Sequence, residues 1–210
     1  TGEYLEPIEM EDINAAKDFV KKYSDVENFQ IFGMQNYQYQ FIADRFEGEI
    51  KFDLNSMRIW SIDIECESED GFPDPSVAPE KILLISVEDL STGQNIVWGW
   101  KPYNKEPKDN FTYRCFKDEF SMLRDFLNYW QLNTPDTITG WNIDGFDVPY
   151  LINRMNRVIG EDQTKHLSPW NIVNSRDIVI MKKPRTVWDI VGVNIVDYLD
   201  LYKKFTYSQQ

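Results

Sequence analysis

An α/β fold, in which helices cover a mixed β-sheet, is the architecture that this sequence of 210 residues predicts. Two observations favour it. Segments with strand-like and helix-like patterns follow one another in the order strand, strand, strand, helix, strand, helix, which is typical of such layered domains. The composition, with 42% hydrophobic and 15% aromatic residues, also provides enough apolar side chains for a proper core. We therefore expect one large domain, or one domain with part of another.

The amino-terminal part of the chain shows one helical and one strand-like pattern. Residues 12–23 repeat apolar side chains at helical spacing, so that one face of the predicted helix consists of Ile13, Ala16, Val20 and Tyr23. Residues 37–41 alternate aromatic and polar side chains, which predicts a half-buried strand. Residues 49–52 are expected to continue a sheet before a turn at residues 55–56.

Residues 58–68, RIWSIDIECES, combine the pattern of a buried strand with two acidic residues. Successive side chains of a strand point to opposite faces, so Asp63 and Glu65 share one face. The other face is apolar and consists of Trp60, Ile62 and Ile64. Two carboxylates with apolar neighbours repel each other and lose hydration, which costs several kcal/mol unless something positive offsets them. This strand therefore predicts a positively charged partner.

Two further predicted strands follow a loop. Residues 68–76, SEDGFPDPS, contain an Asp-Gly step and two prolines, which end regular structure. Residues 81–90 and 95–100 are apolar enough for strands and are joined by a turn at residues 91–93. These two strands and the one before them make up the first half of the predicted sheet.

The second half of the chain alternates helices and strands. Residues 117–131 repeat apolar side chains at helical spacing, and a short strand is predicted at residues 136–141. A helix at residues 146–159 has Pro149 in its first turn and Gly160 as its C-cap. The remaining elements are a hairpin at residues 171–190, with its turn at 182–184, and a buried strand at 193–196 that runs into YLDLYKKF.

Charge and cysteine content limit the functional classes. The formal net charge of −13 argues against a generic nucleic-acid coat, which needs lysines and arginines to displace counterions. It does not exclude an enzyme that grips a phosphate through metal ions, because the metals supply the positive charge. Two cysteines are too few for a disulfide framework, which favours a reducing cytoplasm. The absence of an initial Met and the ending KKFTYSQQ suggest a fragment.

A second acidic segment, TGWNIDGFDVPYL at residues 139–151, supplies another carboxylate. A short strand ends at Trp141, a turn covers residues 142–145, and a helix begins near Asp147. A carboxylate is favoured at a helix N-terminus in any case, so one interpretation of Asp147 is a simple N-cap. The other is that Asp147 joins Asp63 and Glu65 at one cation-binding place.

The two acidic segments together resemble the first two exonuclease motifs of family-B DNA polymerases, which belong to the ribonuclease-H-like group. Other segments are similar to the T-even-like bacteriophage branch of this family: GMQNYQYQFIADRFEGEIKFD, DGFPDPS, LNYWQLNTPDTITGWN, LSP and DYLDLYKKF. The resemblance implies a ribonuclease-H-like 3′→5′ exonuclease domain at residues 57–210, incomplete at its C-terminal end. It also implies a partial amino-terminal α+β domain at residues 1–56, and the cytoplasm of an infected bacterial host as the location.

The resemblance implies two-metal hydrolysis of a phosphodiester with Mg²⁺ or Mn²⁺. Asp63 would bridge both ions, Glu65 would hold the ion that generates the nucleophile, and Asp147 would serve the ion that stabilises the leaving oxygen. The family's third motif, which supplies a fourth carboxylate and a tyrosine, is expected beyond Gln210. No substitute is found among Tyr198, Asp200 and Tyr202. The chain alone is therefore expected to hold one ion or none and to cleave slowly, if at all.

Substrate contacts are implied at Phe72, Asn142 and Phe146. Phe72 could stack on a terminal base or fold back onto the core, and Asn142 could hold the last nucleotide or only stabilise its turn. Lys182 and Lys183 resemble a hairpin tip that helps to part primer from template; the alternative is a solvated lysine pair.

The expected partners are single-stranded DNA or a primer 3′ end, and the remainder of the polymerase. Polymerase motifs such as Ser-Leu-Tyr-Pro-Ser and Asp-Thr-Asp are absent from the sequence, so we do not expect DNA synthesis. His166 has no partner at metal-ligand spacing and is expected to be structural. The alternative function is a non-catalytic module that binds DNA or RNA.

Overall fold

The computed structural model describes residues 4–32, 37–49, 51, 53–68, 71–105, 109–180 and 183–207. The chain divides into two compact units, Thr1–Phe52 and Asp53–Gln210. In the described residues, no helix combines the length with the apolar character that crossing a membrane requires.

The first unit contains two helices, α1 (Ile13–Tyr23) and α2 (Tyr37–Arg45). Asp12 caps α1, because its carboxylate accepts a hydrogen bond from the backbone N–H of Ala15 at 2.7 Å. The rings of Phe19, Tyr23 and Phe29 pack together, with centroids 4.6 Å apart for the first two and 5.3 Å for the last two. The helix predicted at residues 12–23 is thus confirmed.

The strand predicted at residues 37–41 was wrong, because this segment lies in α2. Gln40 donates to the carboxylate of Asp44 at 2.9 and 3.0 Å, a contact between side chains one helical turn apart. The side chains described in α2 are exposed, so the alternation of aromatic and polar residues did not report a buried sheet face. The described part of this unit, residues 4–32, 37–49 and 51, contains no strand of the predicted α+β domain.

The second unit is built on a six-stranded sheet with the order β4-β3-β2-β1-β5-β8. Its strands are β1 (Ile59–Cys66), β2 (Ile82–Asp89), β3 (Gln94–Gly99), β4 (Phe111–Cys115), β5 (Thr137–Gly140) and β8 (Asn194–Asp197). The strands β1, β5 and β8 are parallel neighbours, whereas β2 is antiparallel to both β1 and β3. The mixed sheet that the sequence predicted is therefore confirmed.

The edge strand β4 was not predicted. It pairs with β3 in parallel, from Asn95 opposite Phe111 to Gly99 opposite Cys115. The residues FTYRC are rich in β-prone side chains, which is the signal that could have identified the strand.

The helices of this unit are α3 (Glu119–Leu132), α4 (Asp147–Val158), the short α5 (Glu161–Thr164) and α6 (Tyr198–Tyr207). Buried side chains of α3 and α4 pack with those of the sheet in one core, whose largest members are Trp60, Trp98, Trp130, Tyr150 and Phe126. Along β1, Trp60, Ile62 and Ile64 are buried while Asp63 and Glu65 are exposed. This alternation is the one predicted from RIWSIDIECES.

The predicted hairpin consists of β6 (Val173–Ile180) and β7 (Lys183–Ile190), which form a separate two-stranded sheet. The turn predicted at residues 182–184 was wrong in part, because Lys183 and Pro184 belong to β7 and pair with Ile180 and Val179. Proline can occupy this place because a two-stranded sheet has free edges that need no further donor. Lys182 lies outside the described residues.

Candidate functional site

The carboxyl ends of three parallel strands meet at one edge of the sheet. Ser61 of β1 is paired with Thr139 of β5, and Gly140 of β5 is paired with Asp197 of β8. Asp63, which lies two residues beyond Ser61, is therefore at the same edge as Asp197. In open α/β sheets, ligands bind in the crevice outside the carboxyl ends of the strands, so a functional site is expected at this edge.

A glycine allows β1 and β5 to approach each other at this edge. A Cβ atom on Gly140 would lie 2.6 Å from the carbonyl oxygen of Ile62 and would also collide with the side chain of Ile143. Real Cβ atoms do not come so close to backbone oxygens, so any larger residue would force the strands apart. The glycine in TGWN thus sets the spacing on which the site depends.

The chain leaves β5 through a tight turn that leads into α4. Asn142 has a positive φ of 60°, and its carbonyl oxygen accepts hydrogen bonds from the N–H groups of Gly145 at 2.9 Å and Phe146 at 3.0 Å. A Cβ atom on Gly145 would collide with the Asn142 side chain. Asn142 therefore has the turn-stabilising role that was one of its two interpretations, while its contact with substrate stays a prediction.

Asp147 lies at the start of α4 but turns its carboxylate towards β1. Its Oδ1 atom accepts a hydrogen bond from the backbone N–H of Ile64 at 3.0 Å, and the residue is only 5% exposed. The N-cap position of α4 belongs to Phe146. Asp147 is therefore not a simple N-cap: its carboxylate links the helix to the strand that carries Asp63 and Glu65.

Electrostatics at this edge favour a cation. The pKa of Asp147 is raised to about 6, chiefly by burial and in part by the nearby charges of Asp63 and Asp197, against the lowering effect of the hydrogen bond from Ile64. Burial also raises the pKa of Asp63. Both acids therefore resist ionisation in the folded protein, and a positive charge placed between them would relieve the cost.

The third predicted carboxylate, Glu65, lies on the same exposed face of β1 as Asp63. Its charge, together with that of Asp147, helps to raise the pKa of the half-buried Cys66 thiol to about 12, although burial is the largest cause. A thiol with such a pKa is protonated and unreactive at neutral pH. The structure thus places Asp63, Glu65 and Asp147 around one stretch of β1.

A different trio of acids is the most tightly gathered. Within the described residues, Asp144, Asp197 and Asp200 form the one group of potential metal ligands whose oxygen atoms all lie within 4.8 Å of one another. Asp63, Glu65 and Asp147 do not meet that distance together. The assignment of these three as catalytic and metal-binding residues stays a prediction.

Asp197 is the residue of this edge that sequence reasoning missed. It is 6% exposed, and its carboxylate accepts hydrogen bonds from the N–H groups of Asn142 at 2.9 Å, Asp144 at 3.2 Å and Leu199 at 2.9 Å. A signal was present, because Asp197 directly follows the strand predicted at residues 193–196. An aspartate at the carboxyl end of a buried parallel strand belongs to the same edge as Asp63.

An exposed aromatic pair adjoins the start of α4. Phe72 is 80% exposed, so it does not fold back into the core, but its ring packs on that of Phe146 with centroids 4.6 Å apart. Phe146 in turn contacts Tyr150, at 5.3 Å between centroids. The structure therefore brings two of the predicted substrate-binding residues together beside Asp147.

The loop that carries Phe72 is held by side chains of α4. Asn153 donates to the carbonyl oxygen of Pro75 at 2.8 Å, and Arg154 donates to that of Pro79 at the same distance. The carbonyl oxygens of this irregular segment have no partner in a helix or sheet, so without these side-chain donors they would need hydrogen bonds from water. The helix that begins at Asp147 thus also fixes the loop.

The remaining predicted residues lie away from this edge or outside the description. Lys183 is the first residue of β7, and Lys182 is not among the described residues. The Nδ1 atom of His166 lies 2.6 Å from the side-chain oxygen of Asn171, which agrees with a structural role.

Comparisons with known proteins identify the family. The model of the family "DNA polymerase family B, exonuclease domain" matches residues 13–210. The chain is 32% identical over 219 residues to the DNA-directed DNA polymerase of Escherichia phage RB69, covering 93% of this chain and 24% of that protein. It is 32% identical over 231 residues to the DNA-directed DNA polymerase of Enterobacteria phage T4, covering 99% of this chain and 26% of that protein.

Among solved structures, the family B DNA polymerase of the archaeon Pyrobaculum calidifontis shares the fold, with a TM-score of 0.50 at 23% identity over 71% of this chain and 16% of that one. The chain spans about a quarter of the length of the two phage polymerases. With matches that run over nearly all of its residues, the chain belongs to the exonuclease-domain family of family-B DNA polymerases, in the branch similar to the T-even phages.

Proposed function

We propose that this chain is the 3′→5′ proofreading part of a phage replicative DNA polymerase, which removes mispaired nucleotides from a primer 3′ end by hydrolysing the terminal phosphodiester. One observation carries the proposal: the buried carboxylate of Asp147 accepts a hydrogen bond from Ile64, next to Asp63 on β1. A buried acid whose pKa is raised by burial and by a neighbouring carboxylate, as that of Asp147 is, is typical of catalytic or metal-binding groups. The family membership supplies the reaction class.

The donor set fits a hard divalent cation. Asp63, Glu65 and Asp147 offer carboxylate oxygens, which are the ligands that Mg²⁺ and Mn²⁺ prefer. The raised pKa values of Asp63 and Asp147 mean that a bound cation would stabilise their ionised forms. When bound, such ions neutralise charge on the phosphoryl oxygens and lower the pKa of a water molecule. Two ions are proposed in the complete enzyme, with one or none in this chain alone.

The protein's own groups position the DNA end. The exposed face of Phe72, supported from behind by Phe146, offers a surface on which a terminal base can stack. Asn142, whose N–H group donates to Asp197, is proposed to contact the last sugar or phosphate. Lys182 and Lys183, which the sequence assigns to the hairpin, are proposed to help separate the primer strand from its template.

The proposed partners are a primer 3′ end and the other domains of the polymerase, inside the cytoplasm of an infected bacterium. The matched phage relatives are named DNA-directed DNA polymerases, which favours DNA over RNA as the bound nucleic acid. Synthesis of DNA is not proposed for this chain. The cleavage rate of the chain alone is expected to be low, because no residue of this sequence is assigned as the fourth carboxylate of the family.

The test compares Mn²⁺ binding and strand trimming in three proteins. Free Mn²⁺ is counted by electron paramagnetic resonance during titration of the wild-type chain, of Asp147→Ala and of a control, Asp162→Ala, which removes an exposed carboxylate from α5. We expect Asp147→Ala to weaken Mn²⁺ binding at least about tenfold, because one ligand and its charge are lost, while the control binds as the wild type does. Trimming of a 5′-labelled single strand, where measurable, should follow the same order.

Two outcomes would contradict the proposal. Equal Mn²⁺ affinity in the wild-type chain and Asp147→Ala would remove Asp147 from the site. Salt-sensitive binding of DNA or RNA that survives chelation and is indifferent to Asp147→Ala would instead favour a non-catalytic binding module.

A further inference from the structure

We propose that Asp197 is a positioning residue, which holds the turn at residues 142–146 through its carboxylate and thereby places Asp147 against β1. Asp197 ends β8 and is almost completely buried. It belongs to none of the three carboxylates proposed above, and it acts through the backbone rather than through contact with substrate. The structural role of Asp197 does not depend on the proposed function; only the expected effect of this role on catalysis rests on it.

Asp197 accepts three hydrogen bonds from backbone N–H groups. Its Oδ1 atom accepts from the N–H of Asn142 at 2.9 Å and from that of Leu199 at 2.9 Å, and its Oδ2 atom accepts from the N–H of Asp144 at 3.2 Å. Hydrogen bonds from backbone amides to a carboxylate are about twice as strong as those to a neutral acceptor. One side chain therefore joins β8, the turn after β5 and the start of α6.

The turn has an unusual backbone conformation. Asn142 has a positive φ of 60°, a left-handed conformation that asparagine adopts more readily than most residues other than glycine. A turn of this kind needs its amides paired, since a buried N–H without an acceptor loses the full free energy of its hydration. Asp197 supplies the acceptor for Asn142 and, two residues later, for Asp144.

Backbone hydrogen bonds connect the turn with the segment that carries Asp147. The carbonyl oxygen of Asn142 accepts from Phe146, and that of Ile143 accepts from Val148 at 2.9 Å, so the turn and the first turn of α4 form one hydrogen-bonded unit. Asp147 lies inside that unit. A shift of the turn away from β8 would move the Asp147 carboxylate away from Ile64 and Asp63.

The same geometry argues against a direct role of Asp197 as a cation ligand. Asp144, Asp197 and Asp200 are close together, but both carboxylate oxygens of Asp197 already accept backbone hydrogen bonds. These N–H groups also offset part of its charge. Asp200, by contrast, is exposed, and its carboxylate lies 3.9 Å from the ammonium group of Lys203. Asp197 and Asp200 thus differ in their contacts, and removing Asp200 serves as a matched control.

The experiment measures amide hydrogen exchange by NMR in the wild-type chain, Asp197→Ala and Asp200→Ala. We expect the amides of Asn142 and Asp144 to exchange about tenfold faster or more in Asp197→Ala, because each loses a charge-assisted hydrogen bond, and to keep the wild-type rate in Asp200→Ala. The amide of Ile85, in the centre of β2, reports whether the variant remains folded. Mn²⁺ affinity is measured on the same samples and is expected to fall in Asp197→Ala alone.

Two results would overturn the inference about Asp197, and both can be told apart from a failure of the proposed function. Wild-type exchange at Asn142 and Asp144 in Asp197→Ala overturns the inference, whatever happens to catalysis. An equal loss of Mn²⁺ affinity in both variants also overturns it, because the acids would then be ligands.

A conservative variant covers the case in which Asp197→Ala does not fold. Asp197→Asn keeps one acceptor oxygen and replaces the other with a donor, so only one of the two turn amides should lose protection, and part of the Mn²⁺ affinity should be rescued. Loss of neither amide's protection in a folded Asp197→Asn contradicts the inference.

Discussion

At the residue scale, Asp147 makes the folded chain sensitive to pH. Its pKa is raised by burial to about 6, above the value near 4 of an unfolded aspartate, so the folded state holds the proton more tightly than the unfolded state does. As the pH rises from about 4 through 6, the unfolded state ionises freely while the folded state resists. Stability is therefore lost over this window by the ionisation of Asp147.

The variant Asp147→Asn should for this reason be more stable than the wild-type chain at pH 7.5 without divalent ions, by about 2 to 3 kcal/mol. Asparagine keeps an oxygen that can accept from Ile64 but carries no charge. Urea unfolding at pH 7.5 and at pH 4 measures the difference, which should nearly vanish at the lower pH. A variant that is less stable than the wild type at pH 7.5 would contradict the prediction. Added Mn²⁺ should stabilise the wild type and leave Asp147→Asn largely unchanged.

At the element scale, a buried ion pair connects α3, α4 and the loop that carries Phe72. Arg154 donates to both carboxylate oxygens of Glu119, at 2.7 and 2.8 Å, and Glu119 also accepts from the N–H of Ile82 at 2.8 Å. Arg154 further donates to the carbonyl oxygen of Pro79. Both charged groups of this buried pair are therefore hydrogen-bonded to each other and to backbone groups.

Replacement Arg154→Leu should destabilise the chain by about 3 to 5 kcal/mol, because it leaves the Glu119 carboxylate buried without its cation. The matched control is Arg176→Leu, which breaks an exposed pair with Asp189 and should cost less than about 1 kcal/mol. Both values come from urea unfolding followed by circular dichroism. Similar losses of stability in the two variants would contradict the prediction that the buried ion pair contributes more than the exposed one.

Sequence patterns predicted elements well where one face is buried and poorly where none is. The strand β1 and the helices α3 and α4 contribute side chains to the core, so their periodicity reports real burial. The segment at residues 37–41 has no buried face, and there the local helical contact between Gln40 and Asp44 prevailed. The hairpin turn was misplaced because a two-stranded sheet tolerates Pro184 within a strand.

At the scale of the whole molecule, all of the buried apolar side chains that the structure describes belong to the second unit. The buried apolar side chains run from Trp60 to Val193, and none of the side chains described between residues 4 and 51 is buried. Hydrophobic burial is the main favourable contribution to folding, so the second unit contains what its own stability requires.

A chain of residues 53–210 should therefore unfold cooperatively on its own, with a free energy of unfolding within about 1 kcal/mol of the full chain, or about 3 °C in Tm. The comparison is made by thermal unfolding followed by circular dichroism. The control deletes residues 194–210 instead, which removes β8 and the acceptor that Asp197 gives to the turn; this variant should lose the cooperative transition. Failure of the 53–210 chain to fold would contradict the prediction.

The sequence by itself determined the α/β class and the two-faced strand β1, because a periodicity of two or of 3.6 is readable along the chain. The pairing of Asp63 and Glu65 with Asp147 followed from the family resemblance and stays a prediction. Only the tertiary structure decided that Asp147 turns to Ile64 instead of capping its helix, and that Asp197 supports the turn from 55 residues away. These contacts arise because parallel strands that are distant in sequence end at one edge of the sheet. The local spacing of residues does not show which strand ends lie next to each other.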